Sequence, residues 1–225
     1  MLKEIFGEGD EKLIKVALTH PSYTKENNIP DLENYERLEF FGDSVLKLFT
    51  SKILYEVYPA SAEGELSKIR SILVSDAILA KVAIKIGLDK LIILGPSEEK
   101  QGGRKRESNI ACSLEAILGA YYLSGKRSEI ENFIKEYIVV YADDVDKHFA
   151  KYNAKDILQQ YTQGKNKTRP EYNVTSVSGP AHKPNFEVEV VWEGKIIGKA
   201  CGSSKKEAEQ TGAYNACKQL GIIEE

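Results

Sequence analysis

Glu36, Glu39 and Asp43 stand at i, i+3 and i+7 in the run Tyr35-Glu36-Arg37-Leu38-Glu39-Phe40-Phe41-Gly42-Asp43-Ser44-Val45-Leu46. On a helix that spacing puts three carboxylates on one face. Leu38, Phe41, Val45 and Leu48 fall on a second, apolar face. Acids lined up beside large hydrophobes suit a hard cation such as Mg2+, which takes oxygen ligands. Such ligands hold metal and activate water for phosphodiester hydrolysis. A further acid, Glu115, lies in Ser108-Asn109-Ile110-Ala111-Cys112-Ser113-Leu114-Glu115-Ala116-Ile117-Leu118-Gly119-Ala120, among apolar neighbours. A buried lone carboxylate is costly unless it is paired or bound to metal. Gly119 and Ala120 are small and let this helix approach another closely.

Helices must carry these acids. Residues up to about 147 read as helical: helices over 11–18, 35–58 stopped by Pro59, 63–86 ended by Gly87, 108–123 and 128–149. The stretch 95–107 reads as a basic, glycine-containing loop with Gln101-Gly102-Gly103-Arg104-Lys105-Arg106, either a candidate phosphate contact or an ordinary solvated loop. The pattern changes after about Tyr152. Asn153 is placed to cap a short helix through Gln163, and three period-two runs follow at 172–177, 186–192 and 195–200. Glu193-Gly194 makes a tight turn between the last two, and a final helix spans 204–220. The expected fold is therefore an all-α domain over residues 1–148 and a small α+β module, α-β-β-β-α, over 153–222.

Composition limits the partners. With 42% hydrophobic residues in 225, the chain buries a core and is not a disordered tail. No apolar run approaches the roughly 18 residues that span a bilayer, so no membrane is expected. Cys112, Cys201 and Cys217 have no paired spacing and read as free thiols of a reducing compartment, the cytoplasm. The net charge of -3 is uneven. From Tyr152 onward about 10 Lys+Arg face about 9 Asp+Glu, so that part carries about +1 and the rest about -4. An acidic half still serves a nucleic acid if its acids are metal ligands, because bound cations invert the local charge. His20 reads as structural, a histidine that caps or packs at a helix end, Trp192 and Phe186 as core, and no nucleophile triad follows from spacing.

The Tyr35–Leu46 run and the 108–120 run together resemble the ribonuclease III family, which cuts double-stranded RNA. The resemblance implies that Glu39, Asp43 and Glu115 are the matching acids, with Asp43 and Glu115 catalytic and Glu39 a metal ligand. It implies Mg2+ as cofactor, with Mn2+ as a substitute and no organic cofactor. Glu36 and Glu63 match supporting acids, and Phe40 matches a residue inserted into a partner subunit, implying a homodimer. Lys68 and Arg70, in Glu63-Gly64-Glu65-Leu66-Ser67-Lys68-Ile69-Arg70, read either as a solvated face or as neutralising nearby acids.

The resemblance places a further metal-binding Asp where this chain has Cys112. A thiol is a soft ligand and Mg2+ prefers hard oxygen, so Cys112 predicts weaker metal binding and slower turnover. The position admits either a ligand or a structural thiol. Two functions follow for comparison: an endoribonuclease that processes structured precursor RNA such as ribosomal RNA and leaves 5′-phosphate ends, or a double-stranded RNA-binding protein whose cutting is weakened or lost through Cys112.

The second part resembles the double-stranded RNA-binding domain, which reads A-form shape through minor-groove hydroxyls and phosphates. Gln159 and Gln163, with Gln160, present amides on the first helix. His182 lies in the loop Gly179-Pro180-Ala181-His182-Lys183-Pro184. Lys205 and Lys206 open the last helix, whose N-terminal amides favour phosphate. Gly212 falls where the resemblance implies Ala, at about 1 kcal/mol of helix stability.

Overall fold

The structure, a computed structural model, describes residues 1–179 and 184–223. It divides into two compact units, Met1–Val145 and Asp146–Glu225. The first unit is helical. Its helices are α1 (Leu2–Phe6), α2 (Glu11–Ala17), α3 (Pro21–Glu26), α4 (Glu36–Val57), α5 (Glu63–Leu73), α6 (Asp76–Lys85), α7 (Pro96–Lys100), α8 (Glu107–Leu123), α9 (Arg127–Phe133) and α10 (Ala142–Lys147), the last running across the junction. The second has α11 (Phe149–Tyr152), α12 (Ala154–Asn166), β1 (Glu171–Ser178), β2 (Asn185–Trp192), β3 (Lys195–Gly202) and α13 (Lys205–Gln219). Among the described residues, no helix is long and apolar enough to cross a membrane.

The centre of the first unit is the packing of α4 on α8. Leu46 and Leu54 from α4 are buried with Ile110, Leu114, Ile117, Leu118 and Tyr121 from α8. The start of α4 is fixed from outside the helix. Asn34 Oδ1 accepts from the Glu36 amide at 3.0 Å, and the Tyr35 amide donates to the Thr19 carbonyl at 2.9 Å. Glu36 and Glu39 occupy the first turn, where acids complement the helix dipole. His20 caps α3, its Nδ1 accepting from the Ser22 amide at 3.0 Å.

Four expectations for the helices before residue 150 are corrected. The helix read over 63–86 is two helices, because the chain turns extended at Ser75 (φ -77°, ψ 152°) and the Ser75 hydroxyl bonds back to the Ile72 carbonyl at 2.7 Å. The loop at 95–107 contains α7, started by Pro96 at a first-turn position where its missing N–H is harmless. The helix read over 128–149 is broken by a π-turn at Ile134–Ile138 and a tight turn at Val139–Tyr141. Leu48, placed on the apolar face of α4, is 59% exposed.

In the second unit the strands pair antiparallel in the order β1-β2-β3. Glu193 (φ 51°) and Gly194 (φ 72°) both take the left-handed conformation, the signature of the type I′ turn that suits strand twist. Val190 and Ile197 pack against Ala154, Leu158, Ala213, Ala216 and Cys217 of the helices. Asn153 precedes α12, but its side chain makes no capping bond. Trp192 is half-buried against this core, and its indole N–H donates to Thr168 Oγ1 at 2.7 Å. Gly212 is buried, and a Cβ there would sit 3.0 Å from Val190 Cγ2, which opposes the helix-propensity gain of an alanine.

Candidate active site and RNA-binding surface

Backbone contact between α4 and α8 assembles the acids. A Cβ on Gly42 would lie 1.8 Å from the Glu115 carbonyl oxygen, and one on Gly119 would lie 2.6 Å from the Leu38 carbonyl oxygen. Only glycine permits helices to approach so closely. The result is a concave site of about 380 Å³ lined by Glu36, Glu39, Phe40, Asp43 and Glu115. Four of the sequence-predicted acids therefore share one site. Cys112, one turn before Glu115 on α8, is half-buried beside Glu39.

The charges in this site oppose one another. Burial pushes the Glu115 carboxyl up to about 8, and the negative charges of Asp43, Glu39 and Asp76 push the same way, against a smaller pull from Lys47. Burial also raises the Cys112 thiol far above its ordinary range, and the hydrogen bond to Glu39 and the charges of Glu39, Glu115 and Asp76 add to it. Cys112 is thus a neutral thiol at physiological pH. Lys47 Nζ holds Asp43 Oδ2 at 2.7 Å. Among the described residues, no three ligating side chains are gathered tightly enough to hold an ion as they stand. The donor chemistry nevertheless fits a hard divalent cation at Glu39, Asp43 and Glu115, whose mutual repulsion a cation would relieve. The protonated Cys112 thiol does not fit as a fourth hard ligand.

Four expected contributors are engaged elsewhere. Glu63 accepts from Ser67 Oγ at 2.7 Å and lines a separate groove with Tyr55, Tyr58 and Arg70, so it does not reach the acid cluster. Arg104, offered as a phosphate contact, is engaged in the fold. Its Nε donates to Glu99 at 2.9 Å, and its Nη1 donates to the carbonyls of Asp89 and Ile92 at 2.9 Å each. Arg106 pairs with Glu98 at 2.6 Å. Arg70 donates to Ser51 Oγ at 2.7 Å. Sequence reasoning missed Asp76, whose charge acts on both Glu115 and Cys112. Its only local signal is a Ser-Asp pair typical of a helix start.

In the second unit Gln159 and Gln163 lie one turn apart on α12, both half-exposed, with Gln160 exposed. Lys205 and Lys206 are exposed at the start of α13. Lys205 stands 3.8 Å from Glu209, which also holds Lys155 at 2.5 Å. The amides opening α13 are partly satisfied within the chain. Ser204 Oγ accepts from the Glu207 amide at 3.2 Å, and the Glu207 carboxylate takes the Ser203 amide at 2.8 Å. These bonds from Ser203 hold the Glu207 carboxyl below its usual range. His182 lies outside the described residues.

The pattern of the Ribonuclease-III-like family matches residues 10–141, more than half of the chain. The chain belongs to the ribonuclease III family. The Double-stranded RNA binding motif matches residues 154–220, giving this ribonuclease III the bacterial-type order of one nuclease domain and one RNA-binding domain. Its relatives include Ribonuclease 3 of Lactococcus lactis subsp. cremoris, 40% identical over 93% of this chain and 90% of the relative. Ribonuclease 3 of Streptococcus gordonii is 42% identical over 92% and 89%. Ribonuclease 3 of Bacillus licheniformis is 39% identical over 94% and 84%. A solved nuclease domain of ribonuclease III from Campylobacter jejuni is 35% identical, with a TM-score of 0.56 over 62% of this chain and 94% of that one. The chain is an endoribonuclease of this family, a metal-dependent class of nuclease.

Proposed function

We propose that this ribonuclease III cuts double-stranded RNA at the site lined by Glu36, Glu39, Asp43 and Glu115, with Mg2+ as its cation. The observation that carries this reading is the Gly42–Glu115 backbone contact, which brings acids from two helices into one concavity. Glu39, Asp43 and Glu115 would hold the cation, and Mn2+ would substitute for it. When bound, a divalent cation supplies Lewis-acid activation of the phosphodiester and of the attacking water. Asp43 and Glu115 orient that water, and Glu36 adds negative field from the rim. Attack at phosphorus with departure of the 3′-oxygen leaves a 5′-phosphate end. Cys112 contributes a neutral side chain instead of a hard ligand, so turnover is slow but three acids remain. For that reason loss of cleavage is not the favoured reading.

The second unit holds the substrate. Gln159 and Gln163 suit minor-groove hydroxyls, and Lys205 and Lys206 suit phosphate. His182 belongs to the proposed set by its place in the Gly-Pro-x-His run. Phe40 supports a homodimer: it is 80% exposed beside the acids, where a core aromatic would be covered. A family whose relatives are named Ribonuclease 3, and whose solved relative is described by a region involved in dimer formation, fits that arrangement. Free thiols at Cys112, Cys201 and Cys217 fit the cytoplasm. Structured precursor RNAs such as ribosomal RNA are the expected substrates. The test is cleavage of matched duplex and single-stranded RNAs with and without Mg2+. Mg2+-dependent cutting confined to the duplex is expected, and equal cutting of single strands would overturn the assignment.

A further inference from the structure

Lys167 closes α12 with φ 61° and ψ 16°, the left-handed conformation that glycine or asparagine normally takes at a helix end. A strained residue that persists is held by its surroundings, and here the bonds are visible. Asn166 Oδ1 accepts from the Thr168 amide at 3.2 Å and from Thr168 Oγ1 at 2.5 Å. Asn166 Nδ2 donates to Glu193, and Trp192 Nε1 donates to Thr168 Oγ1 at 2.7 Å. These bonds fasten the 165–169 loop to the β2–β3 turn, which Lys195 follows. Lys165, Lys167, Arg169 and Lys195 are all exposed, Lys165 with its ammonium 5.5 Å from the centre of the Tyr161 ring, and the Glu193 carboxylate is engaged by Asn166.

The loop also continues a line of residues. Gln159, Gln163 and Lys167 follow at i, i+4 and i+8, and the Lys167 amide donates to the Gln163 carbonyl at 3.1 Å. A glycine at 167 would relieve the strain but remove the ammonium. We propose that the 165–169 loop is an additional phosphate-binding surface for duplex RNA, extending the Gln159/Gln163 face beyond the end of α12. This rests on the reading of that face as RNA-binding. The contact is electrostatic and independent of base sequence.

The experiment compares the full chain with Lys167→Gly and with the triple variant Lys165→Gln/Lys167→Gly/Arg169→Gln, in binding to a long duplex RNA without divalent cation over a range of salt. Lys167→Gly relaxes the backbone, so its Tm stays level or rises and a loss of binding is not a loss of fold. The expected result is about threefold weaker binding for Lys167→Gly and about thirtyfold for the triple variant, with the slope of log affinity against log salt falling by about 1 per cation removed. Wild-type affinity and slope in the triple variant would overturn the proposal. Lys205→Gln/Lys206→Gln separates the two failures. If it weakens binding while the loop variants do not, the loop proposal alone falls; if it too binds as wild type, the reading of the RNA-binding face has failed.

Discussion

Gly42 and Glu115 meet backbone to backbone: a Cβ on Gly42 would come within 1.8 Å of the Glu115 carbonyl oxygen. No rotamer change relieves a clash with a main-chain atom, so α4 and α8 must separate. Gly42→Ala is expected to destabilise the fold by about 3 kcal/mol or more, read by urea denaturation, and to abolish cleavage. Gly64→Ala is the contrasting control. Nothing lies within 4 Å of its added Cβ, so the helix gains up to about 1 kcal/mol.

The buried Glu115 makes stability depend on pH. Its carboxyl is raised to about 8, above the ordinary 4.5, first by burial and then by Asp43, Glu39 and Asp76. A raised value favours the protonated fold. The contribution is fully present below about pH 4.5 and is lost as pH rises through about 8. Without divalent cation, stability should fall across that window by on the order of 2 kcal/mol, after allowance for solvent screening. Glu115→Gln should flatten the profile in thermal melts at stepped pH. An unchanged slope in that variant would remove Glu115 as the cause.

Cys112 carries a hardness prediction. Its thiol is neutral, so Cys112→Asp adds an oxygen ligand and a negative charge to the cation site. Cleavage rates titrated against Mg2+ should rise about tenfold and saturate at lower Mg2+. Identical titration curves would show that position 112 does not touch the cation.

Phe40 is 80% exposed beside the acids. As a dimer anchor, its replacement by Asp should weaken association by about 2–4 kcal/mol, seen as monomer in sedimentation velocity. A dimer of unchanged affinity would return Phe40 to an ordinary exposed aromatic.

Much of the site was legible because its signals are local. Glu36, Glu39 and Asp43 share a face by helical spacing alone, and Gly119 beside Glu115 announced a close helix contact. Asp76 was hidden because its effect is tertiary, and because nothing marks the break at Val74-Ser75 as Gly or Pro would. Arg104 reads as a loop cation until Glu99 and the carbonyls of Asp89 and Ile92 are seen around it. Glu63 matched an acidic position in sequence, yet its i+4 partner Ser67 holds it on another groove. In the second unit, strand alternation and the Glu193-Gly194 turn marked β2 and β3, whereas the left-handed Lys167 left no trace in composition.

Cleavage of a long duplex RNA in Mg2+ by this chain and by Glu115→Gln, which keeps the side chain's shape and removes its charge, decides whether the acid cluster is the active centre. Slow but measurable cutting by the unaltered chain and none by the variant is expected. Equal cutting by both, or none by the unaltered chain, would contradict an active centre built on Glu39, Asp43 and Glu115.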